Sequence, residues 1–134
     1  MKNNYKQKVQ NKCKRIKIVL TDVDGVLTNS DQYFSENGEI MKRFHVRDGM
    51  GVNILKRNKI PTIIVTKEKS GIVKKWAKKM NVYKVIDGIE KKETITKQLI
   101  KEFNFTKDKF AYIGDDVNDI ELLKMVGFSA TPAD

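Results

Sequence analysis

Two groups of carboxylates are the residues best able to do chemistry: Asp22 and Asp24 in the run TDVDG, and Asp115, Asp116 and Asp119 in the run GDDVND. Brought together, such groups repel one another unless a cation lies among them, and hard oxygen ligands select Mg2+. Asp22 and Asp24 are two residues apart and emerge on the same side of an extended segment. One can then face a metal and a phosphorus while the other faces a leaving oxygen. Gly25 permits a tight turn that carries backbone amides toward an anion. Asp119 follows Asp115 by four residues, one helical turn, so both can point to one ion. Lys92, the Thr66 hydroxyl and loop amides can supply positive charge and donors to a dianionic phosphate. Each position also has a plainer reading. Asp115, Asp116 and Asn118 can simply cap a helix, Thr66 can simply end a strand, and Lys91 rivals Lys92, which the spacing from Gly88 favours.

These residues can act together only if the elements between them gather them. Residues 16–20 (IKIVL) read as a short buried strand ended by the polar TDVDG run. Segments 33–34 and 40–46 flank Ser35-Glu36-Asn37-Gly38, whose Asn-Gly pair suits a hairpin turn. Asp48 can cap a helix running to about Asn58. Pro61 opens a second strand over 62–65, followed by a helix over 70–80 with Ile72, Val73, Trp76, Ala77 and Met80 on one stripe. A third strand over 82–86, a helix over 93–103, a fourth strand over 110–113, a helix over 118–126 and a short fifth strand over 128–130 complete the pattern. Alternating strands and helices predict an α/β fold, a Rossmann-like parallel sheet in a three-layer α/β/α arrangement with a small β-hairpin flap at about 31–46. Right-handed crossovers put the loops after the strands on one edge, where open sheets bind ligands. Asp22 and Asp24, Thr66, Lys92, and Asp115 with Asp119 all fall after strands, and so converge.

The length suits one domain over 1–134, with residues 1–15 as a basic N-terminal arm, loose or briefly helical. The excess of 27 Lys and Arg over 17 Asp and Glu gives +10, which can attract nucleic acid, anionic membranes or small polyanions, or merely coat a solvated surface. No basic recognition helix or aromatic-interleaved strand stands out, so no nucleic-acid partner is expected. Cys13 is the one cysteine, which excludes an internal disulfide and reads as a buried or incidental thiol. Apolar runs fall far short of the ~18 residues that span a bilayer, and no apolar signal core follows the basic start, so a cytoplasmic protein without a membrane partner is expected.

DVDGVLT, then Val65-Thr66, Lys92 and GDDVND together resemble the four motifs of the haloacid dehalogenase superfamily, each at a strand end. The small hairpin in place of a large cap, with FHVRDGMG at 44–51, resembles the branch of 3-deoxy-octulosonate 8-phosphate phosphatase and the nonulosonate 9-phosphate phosphatases. The likeness covers residues 16–134. It implies that Asp22 attacks phosphorus to form an aspartyl-phosphate and that Asp24 protonates the leaving alcohol, then deprotonates water. It implies Mg2+ on Asp22, the Asp24 backbone carbonyl and Asp115, with Asp119 holding a metal-bound water and Asp116 in support. Thr66 and Lys92 would grip the phosphoryl group.

Two departures stand against the branch: Lys67 follows the motif threonine where glycine is common, and the chain stops at Asp134 where relatives run on into a tail that closes a neighbour's site in a tetramer. A homotetramer is nevertheless the expected assembly. For substrate, the run TKEKS at 66–70, with Glu68, looks more like the nonulosonate enzymes, against a plain solvated charge run. Arg47 is expected to pair with a substrate carboxylate or to brace Asp48; His45 has no catalytic duty to fill, and Trp76 and Met80 read as core. The expected partner is a small phosphorylated sugar acid. The rival readings are a catalytically weakened interaction subunit and, behind it, a basic nucleic-acid-binding domain.

Overall fold

The computed structural model describes residues 2–133; Met1 and Asp134, the ends of the expected arm and domain, lie outside them. Three of the central strands are short, mostly apolar runs, as strands buried on both faces require: β1 (Ile18–Thr21) and β4 (Thr62–Val65), rich in β-branched residues, and β6 (Phe110–Ile113), with two aromatics. With β5 (Lys84–Ile86) and β7 (Phe128–Ala130) they form one parallel sheet in the order β5-β4-β1-β6-β7. The parallel register runs Val19 to Thr62 on one side of β1 and Val19 to Ala111 on the other.

Side chains alternate across the sheet and split the core in two. Ile18, Leu20, Ile63, Val65, Phe110 and Tyr112 pack with Ile95 and Leu99 of α4 (Ile95–Phe103) and Leu122 of α5 (Ile120–Met125). Ile64 faces the other way, with Val23, Leu27, and Val73 and Ala77 of α3 (Gly71–Lys79), where Phe44 stacks on Trp76 at 4.6 Å between ring centres. The layered α/β expectation holds, and Trp76 serves packing.

Several local expectations are corrected. Of the two forms expected for the basic arm it takes the helical one, α1 (Lys2–Arg15), longer than expected, and of the two readings of Cys13 the exposed side chain leaves the incidental thiol. The helix α2 (Val46–Arg57) starts earlier than expected, because His45 rather than Asp48 is its cap: the backbone of His45 is extended and its ring Nδ1 accepts the Arg47 N–H at 3.1 Å. The hairpin β2 (Tyr33–Ser35) and β3 (Gly38–Met41) turns at Glu36-Asn37, one residue before the expected Asn-Gly pair, with Gly38 already paired to Ser35. Strand β5 is two residues shorter at its start than expected, since the Val82 N–H still donates to the Ala77 carbonyl of α3 and Tyr83 reaches the sheet through a single bond to the Thr62 carbonyl. No helix among the described residues is long and apolar enough to cross a membrane.

Leu99 is wholly buried where α4 meets the sheet. Leu99→Ala is expected to lower the unfolding free energy by about 3 kcal/mol. Tyr5→Ala, at a residue 74% exposed, should change it by less than about 0.5 kcal/mol. Urea denaturation of both variants checks the difference.

Candidate active site

Asp22 is the first residue beyond β1, and its position is set by the sheet. Its N–H donates to the Ile113 carbonyl at 2.9 Å, carrying the parallel ladder one step past the strands. The chain then curls, with the Val23 carbonyl accepting the N–H groups of Val26, Leu27 and Thr28. Gly25 lies within this curl at φ +84, and a Cβ there would sit 1.8 Å from Asp115 Oδ2. The glycine therefore makes room for the second acidic loop, and the two loops close on each other. Gly114 does the same from the other side, where a Cβ would meet the Asp119 side chain at 2.7 Å.

At the centre lies a buried ion cluster. The Lys92 side chain is 1% exposed, and its Nζ stands 2.7 Å from Asp22 Oδ2 and 2.7 Å from Asp119 Oδ1. The Tyr112 hydroxyl also donates to Asp119 Oδ1, while the N–H groups of Asp115 and Asp116 donate to Asp119 Oδ2 at 3.0 and 3.1 Å. Lys91 is exposed, which decides between the two lysines. Burial pushes the Asp22 carboxyl up to about 6, against the pull of the Lys92 hydrogen bond and charge. For Asp119 burial also pushes upward, but the bonds from Lys92, Tyr112 and the Asp116 amide outweigh it and hold the group below the ordinary carboxylate range. Asp115 is raised, by burial first and then by the charges of Asp119 and Asp116.

Asp22, Asp115 and Asp119 each offer an oxygen within 4.8 Å of the others, a set made only of hard donors. Such a set suits a divalent cation of the Mg2+ type. Asp119 already receives four donors, so Asp22 and Asp115 have more lone-pair capacity left for a metal. Asp116 is exposed and caps the turn over Val117–Asp119, accepting the Val117 N–H at 2.6 Å.

A cleft of about 360 Å³ opens over this cluster, lined by Asp22, Asp24, Thr66, Lys92, Asp115 and Asn118 on its floor side and by Lys67 and Glu68 from the loop after β4. The sheet thus brings together every expected catalytic, phosphate-binding and metal-binding residue, and Glu68 with them. Lys67, the departure from the branch, lies in the lining too. Arg47 does not: it is exposed on the first turn of α2, outside the cleft, and forms no ion pair with Asp48 or any other described residue. Two further residues escaped the sequence. Tyr112 reads as a plain core aromatic, yet its hydroxyl braces Asp119. Lys42 reads as a surface lysine of a hairpin, yet its Nζ lies 2.6 Å from Asp24 Oδ1.

A family model described as haloacid dehalogenase-like hydrolase matches residues 50–131. The 3-deoxy-D-manno-octulosonate 8-phosphate phosphatase of Haemophilus influenzae is 36% identical over 126 residues, covering 94% of this chain and 70% of that relative. Its Salmonella typhi counterpart is 31% identical, with 94% and 67% covered. Among solved structures, the Moraxella catarrhalis phosphatase in complex with magnesium, phosphate and KDO superposes with a TM-score of 0.89 at 32% identity, over 93% of this chain and 72% of that one. The cobalt-bound Haemophilus influenzae enzyme gives 0.87 at 36% identity, over 92% and 72%. With the family model matched over more than half of its residues and identity sustained along nearly all of them, the chain belongs to the haloacid dehalogenase-like hydrolases.

Proposed function

We propose that this phosphomonoester hydrolase acts on a sugar-acid phosphate through a phosphoryl group carried on Asp22. In the first half-reaction an Asp22 carboxylate oxygen attacks phosphorus and the bond from phosphorus to the ester oxygen breaks. Asp24 gives its proton to that oxygen, so the sugar acid leaves as an alcohol. In the second, water attacks the aspartyl-phosphate, Asp24 takes the water's proton, and the Asp22 carboxylate departs with inorganic phosphate as product. Thr66 and Lys92 hold the phosphoryl oxygens, and Asp119 keeps Lys92 in place from beneath. A Mg2+ held by Asp22, the Asp24 carbonyl and Asp115, with Asp119 behind them, would neutralise charge on the phosphoryl oxygens. The observation that carries this reading is the Asp22 carboxylate on the floor of the cleft, between the Lys92 ammonium and the Asp115 carboxylate.

The relatives named above are octulosonate 8-phosphate phosphatases, which supports proposing that substrate before the nonulosonate 9-phosphate expected from the TKEKS run. Glu68 and Lys67, at the cleft wall, are the side chains placed to meet the sugar acid beyond its phosphate. A homotetramer remains the proposed assembly, supported by the apolar side chains that the hairpin leaves exposed, Phe34 at 63% and Ile40 at 59%. The weakened-subunit alternative has no support from the site, whose charged residues are all in place.

Asp22→Asn is expected to reduce phosphate release at least ~10³-fold while keeping the fold. It should also stabilise the metal-free protein. Because the folded carboxyl is raised to about 6 from 3.8, the native state binds the proton more tightly than the unfolded chain. Wild-type stability from this group is therefore present below about pH 4 and lost as pH rises through about 6. The variant should exceed wild type by about 3 kcal/mol above pH 7 in chelator, and the gap should close toward pH 4, as urea unfolding at the two pH values will read. Chelation should abolish turnover and Mg2+ restore it; phosphate release that ignores chelator contradicts the metal reading. Finally, kcat/KM for octulosonate 8-phosphate should exceed that for nonulosonate 9-phosphate, and slow turnover of both contradicts the sugar-acid assignment.

A further inference from the structure

Lys42 lies just past β3, on a hairpin whose other strand is exposed at all three residues, yet its own side chain is only 2% exposed. An ammonium buried that far costs several kcal/mol unless it is paired. Here it is paired twice: Nζ lies 2.6 Å from Asp24 Oδ1 and 2.6 Å from Glu39 Oε1. Glu39 in turn accepts the Ser70 hydroxyl on Oε2 at 3.2 Å, and Ser70 Oγ caps α3 by accepting the Val73 N–H at 3.4 Å. The chain Asp24–Lys42–Glu39–Ser70 therefore ties together the loop after β1, the hairpin and the end of the loop after β4, and of these residues Asp24 itself lines the cleft.

We propose that Lys42 is a positioning residue for Asp24: by holding Oδ1 it fixes the carboxyl so that Oδ2 faces the leaving oxygen, and Glu39 with Ser70 anchors the lysine itself. This rests on the proposed role of Asp24 as proton donor. Lys42 transfers nothing; the proton passes from Asp24 Oδ2 to the ester oxygen as its bond to phosphorus breaks. The hairpin, on this account, does more than flank the cleft.

The leaving group separates this role from a merely structural one. An alkyl ester needs the proton from Asp24 as it leaves, whereas p-nitrophenolate departs without it. With Lys42→Met in Mg2+ buffer, kcat/KM is expected to fall about 100-fold on the sugar-acid phosphate and by less than about 5-fold on p-nitrophenyl phosphate. Glu39→Gln and Ser70→Ala, which keep the ammonium, should give the same selective loss at about 3- to 10-fold, and they carry the test if thermal melting shows Lys42→Met unfolded. Equal losses on both esters, or none on the sugar-acid ester, would overturn the proposal. Wild type that turns over neither ester, or Asp22→Asn that keeps its activity, would instead overturn the reading of the site on which it rests.

Discussion

One ammonium shared by two carboxylates in the interior is the interaction on which the site depends. Lys92 reaches Asp22 and Asp119 at 2.7 Å each with almost none of its side chain in contact with solvent. Removing these charges from water costs several kcal/mol apiece, and one lysine cannot offset two carboxylates. Asp119 takes the larger share, because Tyr112 and two backbone amides also bind it. Asp22 is left under-compensated, with its carboxyl raised to about 6, and Asp115 nearby is raised as well. The three carboxylates thus outnumber the one ammonium, an electrostatic deficit that a divalent cation held there would offset. The same deficit explains why neutralising the proposed nucleophile should make the protein more stable and less active together.

The rest of the fold holds that deficit in place. Parallel strands end on one edge, so residues from four separate loops meet without any long connection. The close approach of the loops after β1 and β6 depends on Gly25, where a side chain would occupy the volume of Asp115, and the fold of the second loop on itself depends on Gly114, where one would occupy that of Asp119. The hairpin is tied in by a second buried ammonium, Lys42, which pairs with Asp24 as Lys92 pairs with Asp22. Each aspartate of the first loop thus has its own lysine.

Much of this was legible in the sequence because it follows from periodicity. The runs at 110–113 and 128–130 are strands where expected, and the four strand ends carry the residues that meet. What was not legible depended on contacts between segments distant in the chain. Nothing in EIMKRF distinguishes Lys42 from a solvated lysine until the hairpin folds back over Asp24. Arg47 looked like a carboxylate partner from its neighbours in the chain, but the early start of α2 at Val46 leaves it exposed outside the cleft. Tyr112 shares the core face of β6 with Phe110, and its hydroxyl acquires a role only because Asp119 returns beneath it. Between Lys91 and Lys92 the spacing from Gly88 favoured Lys92, and Lys92 is the buried one of the two.

A crystal structure grown with Mg2+ and beryllofluoride, which mimics a phosphoryl group on a carboxylate, tests the central claim most directly. The account predicts the beryllium bonded to an Asp22 carboxylate oxygen, the metal shared between Asp22 and Asp115, and Lys92 bonded to a fluorine while still held by Asp119. Beryllofluoride bound on another residue, or Lys92 turned away from it, would contradict the account.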